Sequence, residues 1–181
     1  MFVIDFGVNT TEAEAALYQL PFEHLREWVY PERQKNNRQS YRAKWWIHGE
    51  PRPDMRKALA PLHRCIVTPR VSKFRLFSWL PTVTLPDSAT FVFAREDDYF
   101  FGVLHSRIHE LWARAQGTQL REVESGFRYT PSSTFETFPL PWPPNAEPTD
   151  DPGVAAIGKA AAELVVMRDA WLNPPTQPLP S

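Results

Sequence analysis

The sequence predicts an α+β fold in which helices pack on a small, twisted antiparallel sheet, followed by a C-terminal helical extension. Three observations predict it. Helical patterns with capping residues fill the first third of the chain, short β-branched and aromatic runs lie between residues 65 and 93, and an Ala-rich stretch near the end has helical spacing. A chain of 181 residues is long enough for one hydrophobic core.

The first elements are a short strand and several helices. Residues 2–6 alternate and are β-branched, which predicts a strand ending at Gly7. Thr10 or Thr11 with Glu14 forms a capping-box pattern, so a helix should begin there and stop before Pro21. Further helices are predicted over residues 22–29, 32–46 and 54–59, with Pro31 in the first turn of the second of these.

The central elements are strands followed by a long helix. Residues 65–68, 74–79 and 90–93 are apolar or aromatic runs separated by prolines, which predicts an antiparallel sheet. Asp97 or Asp98 can cap a helix that ends near Gln116, before Gly117. Its predicted apolar stripe consists of Phe101, Leu104, Ile108, Leu111 and Trp112.

The last third is predicted to contain a linker, a helix and a tail. Residues 118–151 are proline-rich and are interpreted as a linker that wraps the core, whereas residues 153–172 have helical spacing. We therefore assign residues 1–145 to one domain, 146–173 to a C-terminal helix or extension, and 174–181 to a disordered tail.

Cysteine content and hydropathy limit the class of protein. The single cysteine, Cys65, excludes an internal disulfide and a zinc site built from cysteines. No apolar run approaches the roughly 18 residues that a membrane-spanning helix needs, and the first residues carry an acid where a signal peptide has basic residues. We expect a cytoplasmic protein.

Charge is distributed unevenly along the chain. The net charge is −1, but residues 26–75 contain 13 Lys and Arg against 4 Asp and Glu, or 13 − 4 = +9. The other residues hold 7 basic and 17 acidic side chains, or −10. A cationic third on an otherwise acidic chain is typical of a surface that binds a polyanion on one side, although an ordinary solvated helix face would look similar.

No complete catalytic or metal site is evident in the sequence. His105 and His109 lie one helical turn apart but have no third ligand nearby, so a polar helix edge or a DNA-facing pair is favoured over metal binding. Asn173-Pro174-Pro175 lacks the aromatic residue that adenine methyltransferases place next. The acids Asp87, Glu96, Asp97 and Asp98 have no nearby lysine in a nuclease-like pattern and are interpreted as surface and capping residues.

The strongest candidate for base recognition is the run Thr68-Pro-Arg-Val-Ser-Lys-Phe-Arg-Leu-Phe77. On a strand, Lys73 and Arg75 would share one face, with Phe74 and Leu76 on the other. Two long donors on one rigid ribbon suit guanine O6 and N7 in a major groove. An exposed strand with ordinary charges is an equally good interpretation of the spacing alone.

Five ordered blocks resemble a known family. They are Phe2-Val-Ile-Asp-Phe-Gly7; Pro31-Glu-Arg with Asn36-Asn-Arg-Gln-Ser40 and Lys44-Trp-Trp46; Thr68-Pro-Arg-Val-Ser72; Phe101-Gly-Val-Leu-His-Ser-Arg-Ile-His109; and Tyr129 with Thr134-Phe-Glu-Thr-Phe-Pro-Leu-Pro141. Nearly the whole chain resembles the region after the catalytic domain in MmeI-like adenine-specific DNA methyltransferases and single-chain restriction-modification enzymes. That region is the target-recognition domain.

The resemblance implies sequence-specific binding of duplex DNA on behalf of an adenine-N6 methyltransferase, in a restriction-modification or phage-defence system. Base readout would fall to Arg70, Ser72, Lys73 and Arg75, and phosphate contacts to Arg33, Arg38, Arg42, Lys44, Arg52 and Arg56. The chain alone would be non-catalytic and would bind no cofactor, because the motifs for S-adenosylmethionine lie upstream in the parent enzyme.

Two other hypotheses stay open at this point. The chain could be an active methyltransferase, which would require S-adenosylmethionine and turnover. It could instead be an inert fragment or docking subunit of a split methyltransferase, with no DNA binding of its own.

Overall fold

The structure, a computed structural model, describes residues 3–119 and 126–174 and divides into two units, residues 1–57 and 58–181. Unit 1 is helical where it is described. Its helices are α1 (Glu12–Ala16), α2 (Gln19–Trp28), α3 (Tyr30–Gln34), α4 (Gln39–Ala43) and most of α5 (Pro53–Leu59). Unit 2 holds both sheets and the remaining helices, so the predicted α+β class is confirmed.

The helix starts in unit 1 follow local capping chemistry. The predicted capping box is confirmed, because Glu14 N donates to Thr11 Oγ1 over 3.2 Å and Thr11 N donates to Glu14 Oε2 over 2.7 Å. The predicted first strand is wrong over its described part, since residues 3–6 are irregular.

The helix predicted over residues 32–46 is two short helices. Asn36 Oδ1 accepts a hydrogen bond from Arg38 N over 2.9 Å, and Arg38 has an extended backbone. A side chain that accepts from the backbone N–H two residues later competes with the hydrogen bonds of the helix, which explains the break between α3 and α4.

Unit 1 packs around one tryptophan. Trp45 is 5% exposed and lies 5.2 Å from the Phe22 ring and 5.0 Å from the Tyr30 ring, measured between centroids. Its Nε1 donates to Glu12 Oε1 over 3.2 Å, so the polar tip of the ring is also satisfied. This cluster ties α1, α2 and α3 to the segment after α4.

Unit 2 contains two small antiparallel sheets. The strands are β1 (Arg64–Pro69), β2 (Val71–Ser72), β3 (Ser78–Pro81), β4 (Thr90–Phe93), β5 (Thr118–Gln119) and β6 (Phe127–Arg128). One sheet has the order β3-β1-β4 and the other has the order β2-β6-β5. The strands predicted over residues 65–68 and 90–93 are confirmed, but the one predicted over 74–79 begins only at Ser78.

The long helix predicted from Asp97 or Asp98 is interrupted at Ser106. It forms α6 (Asp98–His105), capped by Asp97, and α7 (Arg107–Gln116), capped by the Ser106 hydroxyl. Because the extended Ser106 separates the two helices, the predicted stripe does not continue from one to the other. Phe101 and Leu104 are buried, whereas Ile108 and Leu111 are exposed.

The segment interpreted as a linker contributes to the core. It holds β5, β6 and a single π-helical turn at Pro131–Phe135, and its residues Phe127, Tyr129 and Phe138 are buried. The buried core of unit 2 combines both sheets with α6, α7 and α8 (Pro152–Leu172).

The C-terminal helix α8 is confirmed and packs against α6. A methyl group added at Gly102 of α6 would come within 2.7 Å of Ile157 Cγ2 and 3.1 Å of Ala161 Cβ. The predicted helical extension is therefore packed into unit 2, with Ala161 buried. Of the predicted tail, residues 175–181 lie outside the described residues. No helix in the described part of the chain is both long and apolar enough to cross a membrane.

Candidate nucleic-acid interface

The segment proposed for base readout does not form the predicted strand. The chain bends at Lys73 and Phe74 after β2 and stays irregular to Phe77. Arg75 is only 5% exposed, and the prediction of an exposed Arg75 is wrong. Its Nη1 donates to Thr68 Oγ1 over 3.0 Å and to Pro69 O, and its Nη2 donates to Phe127 O over 3.2 Å.

The surroundings of Arg75 explain why it points inward. Its guanidinium lies between the rings of Phe127 and Tyr129, 4.8 and 5.0 Å from their centroids. The carbonyls that it binds belong to the end of β1 and to β6, so one side chain joins the two sheets. Burial lowers the pKa of Arg75 to about 10, with the Arg114 charge acting in the same direction and the Tyr129 hydroxyl opposing it.

The side chains next to Arg75 point outward instead. Phe74 is 61% exposed and Leu76 is 60% exposed, while Phe77 is fully buried. The alternation along the segment is therefore kept, but with the cation inside and two large apolar side chains outside. Fully burying a Phe or Leu side chain is worth about 1.5–3 kcal/mol, so this arrangement costs stability that the opposite register would recover.

The sheet β2-β6-β5 presents one outward face. Its register aligns Val71 with Arg128 and Arg128 with Thr118, and all three are exposed. Phe127, the neighbour of Arg128 on β6, is buried and faces the core. Arg128 is a functional candidate that sequence reasoning missed, because residues 118–151 were interpreted as a linker. The alternation Phe127-Arg128-Tyr129 was the signal that could have found it.

Two of the residues predicted to contact bases, Arg70 and Lys73, flank β2 next to this sheet. Arg70 and Lys73 are exposed at either end of β2, and Arg70 lies over the Phe91 ring, 5.1 Å from its centroid. Within residues 3–119 and 126–174, no carboxylate forms an ion pair with Arg70, Lys73 or Arg128. The backbone at Arg70 is fixed, since its N–H donates to Ala89 O and its carbonyl accepts from Tyr129 N, each over 2.8 Å.

Ser72 is less available for contact with a base than the exposed Arg70 and Lys73. It is half-buried, and its hydroxyl donates to Phe74 O over 2.6 Å, so its proton is used within the turn. Gly126 explains how closely the strands approach here. Its φ is +83°, and a methyl group at this position would overlap the backbone of Ser72 and Lys73.

In unit 1, several of the predicted phosphate-binding residues gather around one tyrosine. The guanidinium carbons of Arg33 and Arg38 lie 4.7 and 5.2 Å from the Tyr41 ring centroid. Arg38 and Arg52 both contact the Glu50 carboxylate, at 3.5 and 3.3 Å, and all three side chains are more than half exposed. Exposed pairs of this kind contribute little stability, so a phosphate can replace Glu50 as their partner.

The other predicted phosphate contacts differ in availability. Lys44 is exposed and, among the described residues, has no hydrogen bond or ion pair through its side chain. Arg42 is half-buried and donates to Asn36 O over 2.6 Å. Arg56 donates to both oxygens of Asp5, over 2.9 and 3.1 Å, and its Nε donates to Pro51 O. These bonds occupy the guanidinium, which makes Arg56 a structural residue of unit 1.

His109 belongs to the core, and the half-buried His105 packs against the core residues Phe77 and Phe101, so the pair does not form a polar edge. His109 is fully buried, its Nδ1 lies 2.8 Å from Leu104 O, and its Nε2 lies 3.1 Å from the Tyr129 hydroxyl. His105 Nε2 lies 2.8 Å from Phe77 O. Burial lowers the pKa of both, to about 4 for His109, so the pair is neutral near pH 7. The interpretation of this pair as facing DNA is therefore wrong.

The acids weighed in the sequence have structural roles. Asp97 caps α6 and pairs with Arg95, Asp98 pairs with Arg64, Glu96 accepts from His63 N, and Asp87 accepts from Ala89 N. Cys65 is buried, and desolvation raises the pKa of its thiol. In the described part of the chain, no three His, Cys, Asp or Glu side chains are grouped closely enough to hold a metal ion.

Comparison with known proteins gives two matches. The family model described as the MmeI target recognition domain matches residues 32–142. The type IIL restriction-modification enzyme MmeI, solved in complex with DNA, is similar in structure with a TM-score of 0.61 at 21% sequence identity. That similarity covers 93% of this chain and 21% of the MmeI chain, and at this level of identity it shows the fold. No curated protein matches the sequence.

Proposed function

Since this chain belongs to the MmeI target recognition domain family, we propose that it binds duplex DNA and reads a short sequence in it. The parent activity would be adenine-N6 methylation in a restriction-modification or phage-defence system. The observation that carries the proposal is a group of exposed cations on and beside the β2-β6-β5 sheet: Arg70, Lys73 and Arg128 have no acidic partner among the described residues.

A narrow sheet with outward cations suits a major groove. The groove is about 12 Å wide and admits a two-stranded ribbon. Arg and Lys donate to guanine O6 and N7, and a good bidentate contact is worth about 1–3 kcal/mol of discrimination against another base. In this proposal Arg128 on β6 and Lys73 directly after β2 contact base edges. Arg70 lies directly before β2, where two backbone hydrogen bonds hold it in place as a further cation.

Unit 1 would supply contacts that do not depend on sequence. We assign phosphate binding to the exposed Lys44, to Arg33 and Arg38 beside Tyr41, and to Arg52 beside Glu50. Arg42 would contribute more weakly. Contacts of this kind release counterions, so they make the affinity depend on salt without changing which sequence is preferred.

The chemistry would lie on another polypeptide segment. Methyl transfer to adenine requires S-adenosylmethionine and a pocket that takes the base out of the stack, and we place both on a methyltransferase domain or subunit outside this chain. The chain spans about a fifth of the MmeI enzyme, which is consistent with one functional part of a larger protein. A cytoplasmic location stays a prediction.

Docking without DNA binding is the second candidate. It is favoured by large apolar side chains on unit 1, since Leu17 is 83% exposed, Leu20 80% and Trp28 64%. Such side chains mark surfaces that other protein segments cover. The chain would then hold a catalytic partner and contribute no affinity for DNA.

A selection on duplex pools separates these two functions. The purified chain is titrated with labelled random duplexes at two salt concentrations, without S-adenosylmethionine. We expect binding that weakens with salt and enrichment of one sequence. Absence of binding even at low salt would contradict DNA recognition and favour docking.

Substitutions then distinguish the residues that contact bases from the residues that contact phosphates. We expect Lys73→Ala or Arg128→Ala to relax the preference at one base pair, at a cost of about 1–3 kcal/mol for the preferred sequence. Lys44→Ala should weaken all sequences equally and reduce the salt slope by about one unit. The matched control is Lys159→Ala, which removes an exposed lysine from α8. Uniform loss from every variant would refute the division of roles.

A further inference from the structure

The side chains of Phe74 and Leu76, together called the apolar tip, are left exposed on unit 2 by the inward-pointing Arg75. They flank a buried arginine on a segment where the opposite register would bury both and expose the cation. Local rules of burial tend to be broken at functional sites, where another requirement outweighs stability. The apolar tip is such a place.

The apolar tip is held by hydrogen bonds on both sides. Leu76 O accepts from Thr68 Oγ1 over 2.8 Å, and Phe74 O accepts from Ser72 Oγ over 2.6 Å. Between them, Arg75 is fixed by three acceptors on β1 and β6. Two apolar side chains are therefore presented outward on a backbone that is already ordered, which lowers the entropy cost of binding.

The charges near the apolar tip favour a polyanion as its partner. Lys73 Nζ lies 5.8 Å from the Phe74 ring centroid, and Arg70 and Arg128 are exposed on the adjoining sheet. Arg114 donates to Lys73 O over 3.3 Å, and it neutralises the Glu110 carboxylate through a 2.8 Å ion pair. An apolar partner protein would gain nothing from these cations, whereas duplex DNA offers phosphates to the cations and stacked bases to the ring.

We propose that the apolar tip is a wedge that inserts between neighbouring base pairs of the bound duplex and partly unstacks them. This inference rests on the proposed DNA binding and adds to it a contact made by shape and stacking. The Phe74 ring inserts between the two base pairs, and Leu76 fills the space beside the ring. The flanking cations bind the phosphates of the two DNA strands. Proteins that insert apolar side chains in this way bend the duplex at the step they open.

The test uses duplexes of the selected sequence that carry 2-aminopurine at successive positions, because this base fluoresces more strongly when its neighbours unstack. With the unsubstituted chain, we expect a rise in fluorescence confined to one step. Phe74→Ala should remove most of that rise and weaken binding by roughly 5- to 150-fold, the range for loss of one aromatic–base stack. Leu76→Ala should reduce both effects by a smaller factor.

The matched control is Val83→Ala, since Val83 is 94% exposed and lies on the loop between β3 and β4. It should leave affinity and fluorescence unchanged. Failure of the unsubstituted chain to bind any duplex would overturn both the wedge and the proposed function. Binding by Phe74→Ala within twofold of the parent, or with the same fluorescence rise, would overturn the wedge alone and leave DNA recognition standing.

Discussion

Acidification should destabilise this protein through His109, whose ring contacts Tyr129 directly after β6. His109 is fully buried, and its Nδ1 donates to Leu104 O, which leaves Nε2 to accept from the Tyr129 hydroxyl. A proton added to Nε2 would prevent this atom from accepting the hydrogen bond of Tyr129, and it would place a positive charge in the core. Burial therefore lowers the pKa of His109 to about 4, and the charges of Arg75 and His105 act in the same direction.

The sign and size of the effect follow from linkage. An unfolded histidine takes up a proton near its ordinary pKa of 6.5, whereas the folded one resists until the pH reaches about 4. The stability is thus complete above about pH 6.5 and is lost as the pH falls toward 4. The full loss is about 3 kcal/mol, and about 2 kcal/mol of it has already occurred near pH 5.

Chemical denaturation at several pH values checks this prediction. The free energy of unfolding is measured for the parent chain and for His109→Gln, whose side chain does not titrate. Other groups contribute equally to both proteins, so the difference between them isolates His109. That difference should shrink by about 2 kcal/mol between pH 8 and pH 5. Parallel pH profiles would refute the assignment of a neutral, buried His109.

Three further predictions concern stability, each measured by the denaturation midpoint. Gly126→Ala should destabilise by about 2–5 kcal/mol, because the residue has a positive φ and its new methyl group would overlap the backbone of Ser72; a cost below about 1 kcal/mol would contradict this. Gly158→Ala is the opposite case, because its methyl group would make only ordinary van der Waals contacts and the residue lies inside α8. We expect the free energy of unfolding to rise by about 0.5–1 kcal/mol, and a decrease would show that the methyl group does not fit. Arg75→Met should cost about 2–4 kcal/mol, since it removes the hydrogen bonds to Thr68, Pro69 and Phe127. An unchanged midpoint would refute the role of Arg75 as a link between sheets.

Local signals predicted the parts of the fold that depend on neighbouring residues. The capping box at Thr11, the strand at residues 90–93 and helix α8 were all predicted from spacing and end residues. Each of these patterns acts within a few residues, so the sequence states it directly. The family resemblance was likewise confirmed over residues 32–142.

Elements that depend on distant partners were not predicted. β5 and β6 are two residues long and exist because β6 pairs with β2. The alternation Phe127-Arg128-Tyr129 is too short to outweigh the prolines around it, which are typical of a linker. Ser106 was equally hidden, because the apolar pattern runs through it although the hydroxyl starts a second helix. The short strands thus depend on tertiary pairing, whereas the break at Ser106 comes from a local cap that the apolar pattern conceals.

Residues 74–77 show how a correct periodicity can give the wrong orientation. Residues 74–77 alternate as the sequence predicts, but alternation fixes only which side chains share a face and leaves open which face is buried. Hydrophobicity alone would place Phe74 and Leu76 inside and Arg75 outside. The structure reverses this because the ends of β1 and β6 leave carbonyls that Arg75 can satisfy, and no apolar side chain could do so. The cost of that reversal is borne by the two side chains left outside, and a partner that covers them would recover it on binding.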